Sequence, residues 1–127
     1  MPETKAIDKW MEKHVLWKYE GNEKEVIIPS HINIIAQNAF RGSSVESIVL
    51  PDSVGIIGAN AFADCSNLKS VIVPESVDFI RDGAFSNCKK LKNVTFPKTL
   101  TEVEKDIFKG CKALKKAPTV TVTFETE

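Results

Sequence analysis

Long apolar runs are missing from this 127-residue chain. No stretch approaches the roughly 20 consecutive apolar residues that span a bilayer as a helix. Met1-Pro2-Glu3-Thr4-Lys5 leads into no apolar run of the kind that forms a secretory signal, which leaves cytoplasmic residence and removal of a signal as alternatives. Net charge is missing too: 17 basic and 17 acidic side chains cancel, so no global field draws the chain to nucleic acid or an anionic membrane. Cysteine is scarce, and its odd count of three excludes a complete disulfide framework. No two cysteines lie two to four residues apart and no histidine stands near them, so a tetrahedral zinc site has no ligand set. Only His14 and His31 are present, and neither has an acid or nucleophile at a readable spacing. They read as cap and turn residues. Glycine-rich phosphate loops are absent, and Ser66 and Ser86 sit in turns without a nucleophile-elbow context. No catalytic, cofactor-binding or metal residue is assigned, and no enzyme is expected.

What the chain does have is a repeat. Ile35-x-x-x-Ala39-Phe40, Ile57-x-x-x-Ala61-Phe62, Ile80-x-x-x-Ala84-Phe85 and Val103-x-x-x-Ile107-Phe108 follow one another at offsets of 22, 23 and 23. Pro29, Pro51, Pro74 and Pro97 keep step with them, and Cys65, Cys88 and Cys111 fall 23 apart. A period in this range marks a solenoid, in which each unit stacks on its neighbour and none folds alone.

Each recurring position has a physical reason. Val26 and Ile28, then Val45, Ile48 and Leu50, then Leu68, Val71 and Val73, then Leu91, Val94 and Phe96 precede the four prolines. Their alternation predicts strands with one buried face, stacked rung on rung into a parallel sheet. Proline ends each strand because it lacks a donor for the ladder. Ser53, Ser76 and Thr99 stand two residues further on, where a hydroxyl can satisfy the turn backbone locally; the first repeat has His31 there. Ile32 and Ile35, Val54 and Ile57, Val77 and Ile80, and Leu100 and Val103 predict a second, shorter buried edge.

Asn38, Asn60, Gly83 and Asp106 precede the Ala-Phe positions and are helix N-cap types. Gly42, Asp64, Asn87 and Gly110 follow each Phe by two and tolerate the left-handed conformation that closes a turn. The expectation is a single short helical turn per repeat, with the Phe rings stacked inside as a spine. The cysteines read as a buried ladder of small hydrophobes, one per rung.

The ends depart from the period, as solenoid caps do. Ile7, Trp10, Met11 and His14 lie at helical spacing and predict a short helix within residues 3–13. Val15–Tyr19 and Glu25–Ile28 around residues 20–24 read as a hairpin. Thr119-Val120-Thr121-Val122-Thr123-Phe124 alternates strictly and reads as a closing strand whose open edge is a route to self-association. The organisation expected is an N-terminal cap over 1–28, four repeats over 29–50, 51–73, 74–96 and 97–117, and a C-terminal strand and tail over 118–127.

The unit Pro-x-Ser-Val-x-x-Ile-x-x-x-Ala-Phe-x-x-Cys-x-x-Leu-x-x-Val-x-Val resembles the BspA-type leucine-rich repeat over roughly residues 15 to 117. The leader Val15-Leu16-Trp17-Lys18-Tyr19-Glu20-Gly21, followed by Val26-Ile27-Ile28-Pro29, is similar to that seen before such repeats. Ser43 in place of cysteine, Ile107 in place of alanine and Ala117 in place of valine depart from it in the terminal repeats. The resemblance implies an α/β repeat solenoid: a right-handed coil with a parallel β-sheet on one face and short helical turns on the other. It also implies a bacterial cell-surface or secreted protein, in some members an adhesin.

Function is then sought in the positions that do not repeat. Strand side chains between the buried ones face outward. That set is Glu46, Ser47 and Val49, then Lys69, Ser70 and Ile72, then Lys92, Asn93 and Thr95, with Lys115 and Lys116 beyond. Small polar groups beside aliphatics, bordered by lysines, suit a protein or extended polymer lying across the sheet. The expected function is a non-enzymatic interaction module of adhesion type on a cell surface or secreted. The alternatives are a structural spacer or self-associating module, and an intracellular protein-binding scaffold. Residues 89 to 116 carry a net charge of +6, so that end could meet an acidic partner or simply solvate a terminal repeat. No cofactor, nucleic acid or membrane insertion is expected.

Overall fold

A computed structural model of the protein describes residues 11–97, 100 and 102–114. The strands predicted before each proline are present as β3 (Glu25–Ile27), β5 (Ser47–Val49), β7 (Ser70–Ile72) and β9 (Asn93–Thr95). They pair in parallel in the order β3-β5-β7-β9, with Val26, Ile48, Val71 and Val94 in one register column. Val26, Ile48 and Val71 are buried in the coil, and Val94 packs against them half-buried. The second edge is a sheet in its own right. It runs β1 (Met11–Glu12), β2 (Val15–Leu16), β4 (Ile34–Ile35), β6 (Ile56–Ile57), β8 (Phe79–Ile80) and β10 (Glu102–Val103). Leu16, Ile35, Ile57, Ile80 and Val103 form its buried column.

The third side of the coil is not helical. Among the described residues there is no helix, and the predicted helical turns are replaced by consecutive tight turns. The physical reason lies in the residues expected to cap those helices. Asn38, Asn60, Gly83 and Asp106 sit at φ of 63°, 56°, 67° and 61°, in the left-handed region. Gly42, Asp64, Asn87 and Gly110 sit there too, as expected. A right-handed helix cannot run through a left-handed residue every few positions. The backbone donors go to the next coil instead. Phe40 N donates to Ala61 O at 2.7 Å, Phe62 N to Ala84 O at 2.7 Å and Phe85 N to Ile107 O at 2.9 Å. The N–H groups between them close turns, as from Ala61 to Gly58 O at 3.1 Å. Every side of the coil is therefore cross-linked rung to rung.

The N-terminal expectations change as well. Met11–Glu12 is not helical but a strand antiparallel to Val15–Leu16, joined through Lys13 at φ 55°. Ile7 and Trp10 of the predicted helix lie outside the described residues. Residues 15–28 are no hairpin: Val15–Leu16 pairs in parallel with Ile34–Ile35, and Glu25–Ile27 with Ser47–Val49, in the other sheet. The segment is one more turn of the coil, shorter than the repeats that follow. Its Tyr19 takes the Phe position and stacks on Phe40 with ring centroids 5.0 Å apart. The closing strand predicted at 119–124, together with Lys115, Lys116, Ala117 and Thr99, lies outside the described residues.

The core is the interior of the coil. Phe40, Phe62, Phe85 and Phe108 stack in sequence at centroid distances of 5.0, 5.2 and 5.9 Å, forming the expected spine. Phe40, Phe62 and Phe85 are wholly buried, each worth roughly 1.5–3 kcal/mol relative to exposure. Phe96 stacks on Phe108 from the sheet side and closes the spine at that end. Ser53 Oγ does not bond within its own turn but donates to Ile32 O of the preceding coil at 2.6 Å. The buried Ser76 Oγ has no partner among the described residues.

Candidate interaction face

The outward side of β3-β5-β7-β9 assembles the columns expected from the sequence. Glu25, Ser47, Ser70 and Asn93 are in one register column; Ile27, Val49, Ile72 and Thr95 are in another. The strands hold these side chains out because their neighbours Ile48 and Val71 are held in by the core. Val49 is 39% exposed and Ile72 67% exposed. Burying an aliphatic in water-free contact is favourable, so an outward Ile between hydroxyls is surface that a partner can cover. Ser47 Oγ donates to Glu25 Oε2 at 3.5 Å, and Lys69 Nζ pairs with Glu46 Oε1 at 3.4 Å, across adjacent coils. Lys92 continues that edge, exposed.

Above the sheet lies an open groove of about 730 Å³, lined by Glu25, Ser47, Val49, Ser70, Ile72 and Thr95 at its floor and by Asp52, Glu75 and Phe96 at the ends of the strands. Asp52 and Glu75, which directly follow Pro51 and Pro74, were not singled out from the sequence. Their signal was available: an acid in the first turn position of two consecutive repeats.

A second outward column was also missed. Val15, Ile34, Ile56 and Phe79 are in register on β2, β4, β6 and β8. Ile34 and Ile56 are exposed, with Arg81 over the Phe79 ring at 5.2 Å. Trp17, 54% exposed, follows Leu16 beyond this column. The signal was the apolar residue immediately before each buried one. A two-residue strand is too short to show alternation.

Of the groups that first suggest chemistry, the cysteines are packed away. Cys65, Cys88 and Cys111 are free and buried. Their thiols donate to Phe40 O, Phe62 O and Phe85 O, each in the preceding coil, at 3.1, 3.1 and 2.9 Å. Burial pushes the Cys65 thiol up to about 12. Hydrogen bonding with Cys111 and burial push Cys88 upward as well. Hydrogen bonding with Cys88 draws Cys111 the other way, downward. Cys65 and Cys88, held protonated, are poor nucleophiles and poor metal ligands. His14 and His31 approach each other edge-on with centroids 6.2 Å apart, and His14 Nδ1 donates to His31 O at 2.9 Å, both on the surface. Among the described residues no three His, Cys, Asp or Glu side chains gather as a metal site, and no helix is long and apolar enough to cross a membrane.

A family model described as a BspA type leucine rich repeat region, in six copies, matches residues 16–123. Among solved structures, a leucine-rich repeat protein from Bacteroides capillosus ATCC 29799 is 26% identical, with a TM-score of 0.74 over 88% of this chain and 86% of its own. The T. pallidum leucine rich repeat protein is 23% identical, with a TM-score of 0.68 over 89% of this chain and 69% of its own. A leucine rich cell surface protein from Faecalibacterium prausnitzii A2-165 is 20% identical, with a TM-score of 0.66, and this chain covers 35% of it. No curated protein matches the chain in sequence.

Proposed function

The chain belongs to the BspA-type leucine-rich repeat family, and from that premise we propose that it is a non-enzymatic interaction module of a cell-surface or secreted protein. It engages a protein or extended polymer across the outward face of β3-β5-β7-β9. One observation carries this reading: Val49 and Ile72 stand exposed and in register with each other at the floor of an open groove, beside the Ser47–Ser70 pair. The contact is broad and shallow, so affinity comes from a few central aliphatics surrounded by polar groups. The surface placement draws on the cell-surface protein of similar fold.

The test is a double variant, Val49→Asp with Ile72→Asp. Both sites are exposed, so the circular dichroism spectrum and melting temperature are expected to stay near those of the parent. Retention on a panel of immobilised matrix proteins and glycans is expected to fall at least tenfold, since two buried aliphatics contribute about 1.4 kcal/mol or more together. Unchanged retention on the panel member that binds the parent would reject this face.

A further inference from the structure

The groove is not electrically neutral. Among the described residues its charged lining is Glu25, Asp52 and Glu75, with no lysine or arginine. Glu25 accepts from Ser47 Oγ. Asp52 and Glu75 are exposed and take part in no ion pair among the described residues. Each stands three residues beyond the outward aliphatic of its strand, on consecutive coils whose strands pair Val49 with Ile72. Coils paired this way repeat at about 4.8 Å, so the stacking brings two like charges side by side. Their mutual repulsion is relieved by a cation seated between them. Among the described residues the cations of this face lie at the other end of the strands: Lys69 is engaged by Glu46, and Lys92 is exposed. In the fourth repeat Lys98 stands in the position of Asp52 and Glu75, outside the described residues, so in sequence the acidic lip belongs to the earlier coils.

We infer that the groove takes an extended polypeptide segment carrying a lysine or arginine, whose cation sits at Asp52 and Glu75 while its apolar side chains cover Val49 and Ile72. The inference rests on the sheet-face reading above and adds the charge of the partner to it. An anionic polymer meets carboxylates and, among the described residues, no compensating cation. A carbohydrate chain would look for aromatic platforms, and Phe96 is the one aromatic in the lining among the described residues. A polypeptide supplies both halves of what the groove offers: alternate apolar side chains and a long cationic one that reaches the lip.

The experiment uses the full chain and a bead-displayed library of random octapeptides. Peptides with one lysine or arginine among apolar residues are expected to be retained about threefold over their glutamate counterparts, in the range that one exposed ion pair supplies. That preference is expected to vanish in 1 M salt, where the screening length is about 3 Å. It is expected to vanish equally in the double variant Asp52→Asn with Glu75→Gln. A preference that survives the amide variant, or equal retention of basic and acidic peptides, overturns the inference and leaves the sheet face standing. Retention unchanged by Ile72→Asp rejects the face itself, and the inference with it. Retention of a neutral glycan polymer in preference to every peptide also overturns it.

Discussion

Cys65 illustrates how a residue that resembles chemistry serves packing. Its side chain is wholly buried, and its thiol donates to Phe40 O of the preceding coil at 3.1 Å. Burial moves its pKa from 9.0 to about 12. The raised value fixes the sign of a pH effect. Below pH 9 both folded and unfolded chains hold the proton, and the stabilising contribution is complete. Between about 9 and about 12 the unfolded chain loses the proton and the folded chain keeps it, so stability falls as pH rises. The slope for one such thiol is about 1.4 kcal/mol per pH unit. Urea unfolding from about pH 8.5 to about pH 11 is therefore expected to show a steeper loss in the parent than in Cys65→Ala, by that slope. Equal slopes would mean that the thiol ionises as freely in the coil as in the unfolded chain. At Tyr19, burial and the hydrogen bond to Glu23 also raise the pKa to about 12. Both variants keep Tyr19, so its contribution cancels in the comparison.

The turn elements show where residue types mislead. Asn, Asp and Gly before Ala-Phe are compatible with a helix N-cap and with a left-handed turn, and the sequence offered no way to choose. The structure chooses the second, with Asn60 at φ 56° and Asn60 N donating to Asp82 O of the next coil at 3.0 Å. The two geometries separate on serine, which caps helices as well as asparagine does but enters the left-handed region at a cost of about 1–2 kcal/mol. Asn60→Ser is expected to lower stability by about that amount while Asn60→Gly stays near the parent, read from urea midpoints. An Asn60→Ser variant as stable as the parent would restore the helical reading. Gly58 marks how close the coils lie at this corner: a Cβ there would come within 2.7 Å of Gln37 N and 2.8 Å of Ile35 O.

At the scale of the molecule, the coils are joined by two parallel sheets, a turn ladder and a continuous aromatic stack from Tyr19 to Phe108. Each coil touches only its neighbours, so stability is shared along the array and not held by any one repeat. Phe85→Ala removes a ring from the middle of the stack and is expected to cost about 3–5 kcal/mol. Because so short an array unfolds as a unit, the loss is expected to reach the far end. Amide exchange at Tyr19 and Phe40, two to three coils away, should accelerate along with that at Phe62. Acceleration confined to residues next to Phe85 would show coils that open independently.

Periodic side chains were legible because each is dictated by a local rule that repeats. Val and Ile at alternate positions make a strand with one dry face, proline ends it, and a ring every 22 or 23 residues must meet the ring above it. The same reading placed the outward columns Ser47-Ser70-Asn93 and Val49-Ile72-Thr95, which the register then aligned. What the sequence could not decide depends on the partner of a backbone group. Whether Asn60 N bonds within its own turn or to the next coil, and whether Val15–Leu16 pairs with Glu25–Ile27 or with Ile34–Ile35, turns on which segment lies alongside. Only the stacked structure supplies that neighbour. It alone converts an expected cap into one more coil, and two unremarked acids, Asp52 and Glu75, into the charged lip of a groove.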